Sequence, residues 1–207
     1  MNLHAMPHTF KYLRTAAIAA LSLAAASCNS NPATPLEQAP LYGATIGGPF
    51  ELTNSAGETV RWSDFAGQYR IVYFGFTYCP DICPTDVQRM SQGLRQFEQE
   101  SPELGAQIQP IFITIDPERD NPQVVGDFVD NFHPRLIGLT GTPEQVKSAA
   151  KTFAVTYSKG EVPESGNYLM NHSAITYLFG PDGQPIATLP TDLGAEAVAE
   201  ELAKWVR

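Results

Sequence analysis

Cys79 and Cys83 carry the most reactive side chains in this chain, and only three residues separate them in Cys79-Pro80-Asp81-Ile82-Cys83-Pro84. Thiols this close can form a disulfide, hold a soft metal ion, or alternate between the two. A proline after each cysteine biases both toward extended backbone. The pair is therefore expected on a shaped loop, not on one face of a helix. Cys83 is expected just before a first helical turn, where backbone N–H groups and the helix dipole favour a thiolate. The spacing is one residue wider than a Cys-x-x-Cys redox motif. It still admits a disulfide, whose Cα atoms need approach only to about 4.4–6.8 Å, and it leaves room for an ion between the sulfurs.

A third donor would decide between these uses. Two thiolates and one imidazole make a soft, three-coordinate set suited to Cu(I), or to Zn(II) if a fourth ligand joins. His172, in Leu169-Met170-Asn171-His172-Ser173, lies where a polar loop enters a strand, and it is the candidate ligand. His133, just past a helix in Asn131-Phe132-His133-Pro134, is expected at the surface. Met170 is read as a core residue with a soft auxiliary contact as the alternative. Asp81 is read as loop-shaping, because a hard carboxylate suits Cu(I) poorly.

The chain has 207 residues, 43% of them hydrophobic, which suits one sizeable core. Its start reads as a leader: Lys11 and Arg14 precede an apolar Ala/Leu-rich stretch over 16–26, too short to span a bilayer. Leu23-Ala24-Ala25-Ala26-Ser27-Cys28 resembles a bacterial lipobox, with Ala25 where Leu is more usual. That resemblance makes Cys28 the lipidated N-terminus after cleavage. It places the protein in the bacterial cell envelope, anchored by lipid on the periplasmic face of the cytoplasmic membrane. Without residues 1–27, 11 basic residues face 22 acidic ones, a net of −11. Such an acidic surface argues against nucleic acid and suits a cationic partner or metal ion. Cys79 and Cys83 then remain as the free thiols, in a compartment that permits disulfides. His133 and His172 remain as the histidines.

The expected organisation is a leader over 1–27, a tether over 28–41 and one domain over 42–207. Phe50-Glu51-Leu52-Thr53 alternates like a strand and runs into a turn at Asn54-Ser55-Ala56-Gly57, which suggests an N-terminal hairpin. Buried strands are expected over 70–77 and 108–115, and a shorter one over 136–139. Helices are expected after Pro84, around 124–132, and from Thr142-Pro143, a capping residue before an N1 proline. Residues 160–168 read as an exposed loop. Strand 173–179, the turn Pro181-Asp182-Gly183-Gln184, strand 185–189 and helix 195–206 close the domain. This order argues an α/β fold with a central mixed β-sheet flanked by helices. A dithiol at the mouth of its strand-to-helix turn resembles the thioredoxin-like fold.

Tyr73-Phe74-Gly75-Phe76-Thr77-Tyr78, running into the cysteine motif, closely resembles the Sco/SenC family. The resemblance continues through 113–120 (Ile-Thr-Ile-Asp-Pro-Glu-Arg-Asp), 138–142, 157–159 and 177–183, and covers nearly all of 46–206. It implies a copper chaperone for the CuA centre of cytochrome c oxidase, with subunit II as partner and a further periplasmic copper chaperone or thiol reductase upstream. It implies Cu(I), with Cu(II) as a second state, held by Cys79, Cys83 and His172. The family usually has Asp before this histidine. Asn171 stands there instead, which removes a negative charge and bears on tuning more than on ligation. Asp116 and Asp120 belong to the family's acidic strand-end motif and are read as turn and helix-cap residues, with partner docking or support of the metal site as the alternative.

Two other readings use the same thiols. A thiol–disulfide oxidoreductase, with Cys79 and Cys83 as its redox pair, would reduce the cysteines of its target before metallation. It has no need of a late histidine, so His172 discriminates. A peroxidase of the peroxiredoxin type requires Thr three residues before the reactive Cys, and Phe76 holds that position.

Overall fold

The computed structural model describes Met1, residues 34–164 and residues 167–207. The leader and Cys28 lie outside the described residues. Residues 33–207 form one compact unit. Its packing starts before the expected end of the tether: Ala39 is buried, Leu36 and Leu41 pack on the core, and the Leu41 N–H donates to the Ile186 carbonyl at 3.0 Å.

Strands β1 (Glu51–Thr53) and β2 (Thr59–Arg61) form the expected hairpin. Asn54 Oδ1 closes its turn by accepting from the Ala56 and Glu58 N–H groups, and Gly57 takes the positive φ that the turn requires. The central strand β3 (Tyr69–Gly75) is buried along its whole length, as its unbroken apolar run predicts. It pairs in parallel with β4 (Ile108–Thr114), which pairs in parallel with β5 (Ile137–Leu139). On its other side β3 pairs antiparallel with β8 (Thr176–Phe179), and β8 with β9 (Pro185–Leu189). The sheet order is β5-β4-β3-β8-β9. A second hairpin, β6 (Tyr157–Lys159) with β7 (Met170–His172), stands outside that sheet.

Alternation along β3 assigns the layers. Tyr73 and its cross-strand neighbour Phe112 share one face with Phe128 of α3 (Pro122–Val129) and with α1 (Ile82–Glu100). The last helix, α5 (Ala195–Trp205), packs on α1 at Gly93, where a Cβ would fall 2.5 Å from Val198. Phe74 points to the opposite face, into a cluster of Phe153, Trp62, Phe50 and Phe179. There α4 (Pro143–Thr152) opens with Thr142 as the expected capping residue and Pro143 in its first turn, and Gln145 completes a capping box. A short α2 (Pro102–Gly105) links α1 to β4. The result is a thioredoxin-like sandwich in which β3 delivers the thiols at its carboxyl end.

His133 departs from its expected surface position. It is only 3% exposed, with Nε2 3.3 Å from Glu98 Oε2 and Nδ1 accepting from the Arg135 N–H at 3.2 Å. Arg135 also donates to Glu98 and to the Ile108 carbonyl, so the turn before β5 folds back onto α1 and β4. Helix periodicity carries no trace of this, because the partners are distant in sequence.

Burial holds His133 below its ordinary pKa, and Glu98 only partly restores it. The unfolded chain takes the proton more readily, so this histidine's contribution to stability is complete above about pH 6.5 and declines as pH falls through that value. The slope is at most about 1.4 kcal/mol per pH unit. Urea midpoints measured between pH 7.5 and 5.5 are expected to fall for the wild type and to fall less for His133→Gln. Equal slopes for the two proteins would contradict this.

Candidate metal site

β3 ends at Gly75, and residues 76–81 turn the chain into α1. The helix starts at Ile82, earlier than the prolines suggest, so Cys83 lies inside its first turn and Cys79 on the loop before it. The pair thus straddles the loop-to-helix junction. Cys79 is half-buried and Cys83 fully buried, and both are free thiols. The Cys83 N–H points at Cys79 Sγ, 3.4 Å away.

The fold brings His172 to this junction across 89 residues of sequence, with Nε2 3.2 Å from Cys83 Sγ. Its approach comes from the β6–β7 hairpin, not from the strand over 173–179 that the sequence suggests. His172 pairs with Tyr157, and the Ser173 N–H donates to the Thr156 carbonyl at 2.9 Å. His172 Nδ1 lies 3.1 Å from the Ser173 carbonyl, which assigns the proton to Nδ1 and leaves the Nε2 lone pair facing the sulfur. Tyr73 and Phe76 meet the imidazole edge-on, at ring-centroid distances of 6.3 and 6.0 Å.

Burial pushes the Cys83 thiol strongly up, against the Phe76 backbone bond that lowers it. This reverses the expectation that a helix N-terminus favours its thiolate: desolvation outweighs the partial charge of the helix end. Burial likewise lowers the His172 pKa, opposed by the Ser173 carbonyl and by the charge of Asp86. A neutral thiol beside a neutral imidazole is a poor nucleophile but a good pair of soft donors once a cation displaces the thiol proton. Among the described residues, no three His, Cys, Asp or Glu side chains already converge as a finished metal cluster. Cys83 and His172 touch, whereas the Cys79 sulfur is turned to the Cys83 N–H.

Two networks hold the two halves of the site. Asp120, fully buried, accepts from the Thr77 N–H at 2.9 Å and from the Thr77 and Thr114 hydroxyls at 2.6 Å each. It pins the chain two residues before Cys79. Burial raises its pKa and these bonds pull it back. Its expected role as a helix cap belongs instead to Asn121, whose side chain accepts from the Val124 N–H. Asp116 holds the other half. It accepts from Arg119 Nε at 2.6 Å and from the Tyr168 hydroxyl at 2.8 Å. Arg119 stacks 3.6 Å from the centroid of the Tyr168 ring, donates to the Tyr168 carbonyl and reaches the Tyr78 ring at 4.9 Å. The segment that carries His172 is thereby tied to the loop that carries Cys79. Arg119 and Tyr168 had no assigned role in the sequence; an arginine three residues after an Asp-Pro turn was the available signal.

The remaining candidates stand apart. Asp81 is exposed at the N-cap of α1 and makes no side-chain cap bond. Asn171 is exposed and, by strand alternation, faces away from the side on which His172 meets the thiol. The departure from the usual Asp therefore lies in solvent, outside the donor set. Met170 is half-buried and packs against the core.

With this geometry in place, comparison with known proteins identifies its kin. The SCO1/SenC family model matches residues 38–207. The chain belongs to the SCO1/SenC family. It is 43% identical over 169 residues to the mitochondrial protein SCO2 homolog of Mus musculus, covering 81% of this chain and 64% of that one. Against the mitochondrial protein SCO1 homolog of Homo sapiens it is also 43% identical, covering 67% of this chain and 46% of that one. The chain thus spans about half to two thirds of these relatives. Among solved structures, Arabidopsis thaliana ScoI with copper bound superposes with a TM-score of 0.70 at 38% identity, covering 77% of this chain and 96% of that one. Yeast Sco1 with copper bound gives 0.71 at 34% identity, with coverages of 78% and 88%.

The tight seat of Cys83 depends on Gly75. A Cβ there would fall 2.8 Å from the Tyr73 ring and 3.2 Å from Cys83 Sγ. Gly75→Ala is expected to cost about 1–3 kcal/mol in urea unfolding and to speed thiol labelling of Cys83 relative to Cys79. Unchanged stability together with unchanged labelling would refute this role.

Proposed function

We propose that this protein is a copper metallochaperone that binds copper through Cys79, Cys83 and His172 and delivers it to the CuA site on subunit II of cytochrome c oxidase. The observation that carries the reading is the 3.2 Å approach of His172 Nε2 to Cys83 Sγ. There the Nε2 lone pair faces the thiol sulfur, the orientation that a shared soft ion would need from both donors. The copper-bound relatives support the choice of ion. On metallation both thiols release their protons, and Cys79 Sγ leaves the Cys83 N–H to close the three-donor set. A three-coordinate soft ion can accept an incoming thiolate before an old ligand departs, which suits transfer by ligand exchange.

We further propose that the chain is lipidated at Cys28 and acts on the periplasmic face of the cytoplasmic membrane. No helix among the described residues is long and apolar enough to cross a membrane. Cys28→Ser is expected to move the protein from the membrane fraction to the soluble envelope fraction.

A thiol–disulfide role on the same target is the second reading. The unequal exposure of the thiols favours it: half-buried Cys79 is open to a partner's sulfur, and buried Cys83 is placed to resolve the mixed disulfide. In anaerobic Cu(I) competition against a chelator, wild type is expected to bind one copper per chain. Cys79→Ser and His172→Ala are expected to lose about a hundredfold or more in affinity. Wild-type affinity in His172→Ala, with oxidase assembly intact, would move the assignment to the redox reading.

A further inference from the structure

One buried group beside the site serves neither the sheet nor the donor set. Asp86 lies on α1 three residues after Cys83 and is 5% exposed. Its Oδ2 accepts from the Tyr73 hydroxyl at 3.1 Å. Among the described residues no Lys, Arg or His side chain forms a salt bridge with it. Carboxylates this deeply buried normally face a cation or a metal ion, because leaving the charge uncompensated is costly. The surroundings of Asp86 set its charge beside the candidate donors. Tyr73, which holds it, packs edge-on against His172 and lies beside Cys83 across the Gly75 gap. The charge of Asp86 is felt at the His172 ring and at the Tyr73 hydroxyl.

We propose that Asp86 is a buried negative charge acting on the metal site, a positioning residue that raises the site's preference for Cu(II) relative to Cu(I) without ligating either. The inference rests on the copper reading above. Two thiolates and one carboxylate exceed the charge of Cu(II) by one and that of Cu(I) by two. The excess is smaller for the divalent ion, so the carboxylate favours it. The Tyr73 hydroxyl keeps the carboxylate turned inward with its one proton, and Phe112 stacks on the ring to fix it.

The test measures Cu(II) and Cu(I) affinities separately by chelator competition on the reduced protein, with the Cu(II) spectrum recorded by electron paramagnetic resonance. Asp86→Asn keeps the shape and removes the charge. It is expected to lower the ratio of Cu(II) to Cu(I) affinity by about tenfold or more, with the spectrum of the bound Cu(II) retained. Asp86→Glu is expected to restore most of the ratio, and Tyr73→Phe, which keeps the carboxylate, to change it less than Asp86→Asn does. Equal loss of both affinities in Asp86→Asn, or no change in the ratio, overturns the proposal. A new Cu(II) spectrum in that variant overturns it as well, by making Asp86 a ligand. If the wild type takes up neither ion, the copper reading fails and this inference falls with it. A wild type that binds both ions with a ratio unmoved by Asp86→Asn sinks the inference alone.

Discussion

The Cys83 sulfur rests 3.2 Å from His172 Nε2 at the end of the central strand, and the rest of the site depends on keeping that pair aligned. Neither residue can be placed by local structure alone. Cys83 is held by the first turn of α1 and by the space that Gly75 leaves open. His172 is held by a small hairpin outside the main sheet. Aromatic edges from Tyr73 and Phe76 fill the gap between them. The low-dielectric setting keeps both donors neutral until a cation arrives. A thiol held protonated in this way is a slow nucleophile until its proton is displaced.

Two acidic residues then secure the halves. Asp120 satisfies three donors from Thr77 and Thr114, which anchors the start of the thiol loop to the sheet. Asp116 orients Arg119, and Arg119 clasps Tyr168 in the segment that leads to His172. The loops that carry donors are otherwise the least constrained parts of an α/β fold. These carboxylates convert them into fixed walls. Cys79 and His172 are both half-buried while Cys83 is sealed, and the Cys79 sulfur is turned to the Cys83 N–H and away from the imidazole. The three candidate donors therefore lie close together without yet converging on one point.

Much of this was legible in the chain. The unbroken apolar run before Cys79 marked a doubly buried strand, and the prolines and the capping residue Thr142 marked the helix starts, because these signals act over a few residues. The cysteine pair and His172 stood out by residue type once the leader was set aside. What failed to read through were contacts between distant segments. His133 looked like a surface residue after a helix and is buried against Glu98 and Arg135. Asp120 looked like a cap, yet its carboxylate serves Thr77 and Thr114. The described residues over 160–168 form the loop that the sequence suggests, but Tyr168 within it is buried and donates to Asp116, a distant partner.

By itself the sequence determined the candidate donors: two thiols, one late imidazole, and a strand-to-helix turn to present the thiols. Family motifs and local signals suffice for that, since residue type and near-neighbour spacing are written directly in the chain. The tertiary structure alone decided how those donors behave. It placed Cys83 inside the helix and under the sheet, so that burial overrides the helix dipole and keeps the thiol protonated. It also set Asp86, otherwise one more acidic residue on an acidic chain, beside the site with no salt-bridge partner among the described residues. Desolvation and charge pairing depend on what the folded chain packs around a group, and spacing in sequence does not encode them.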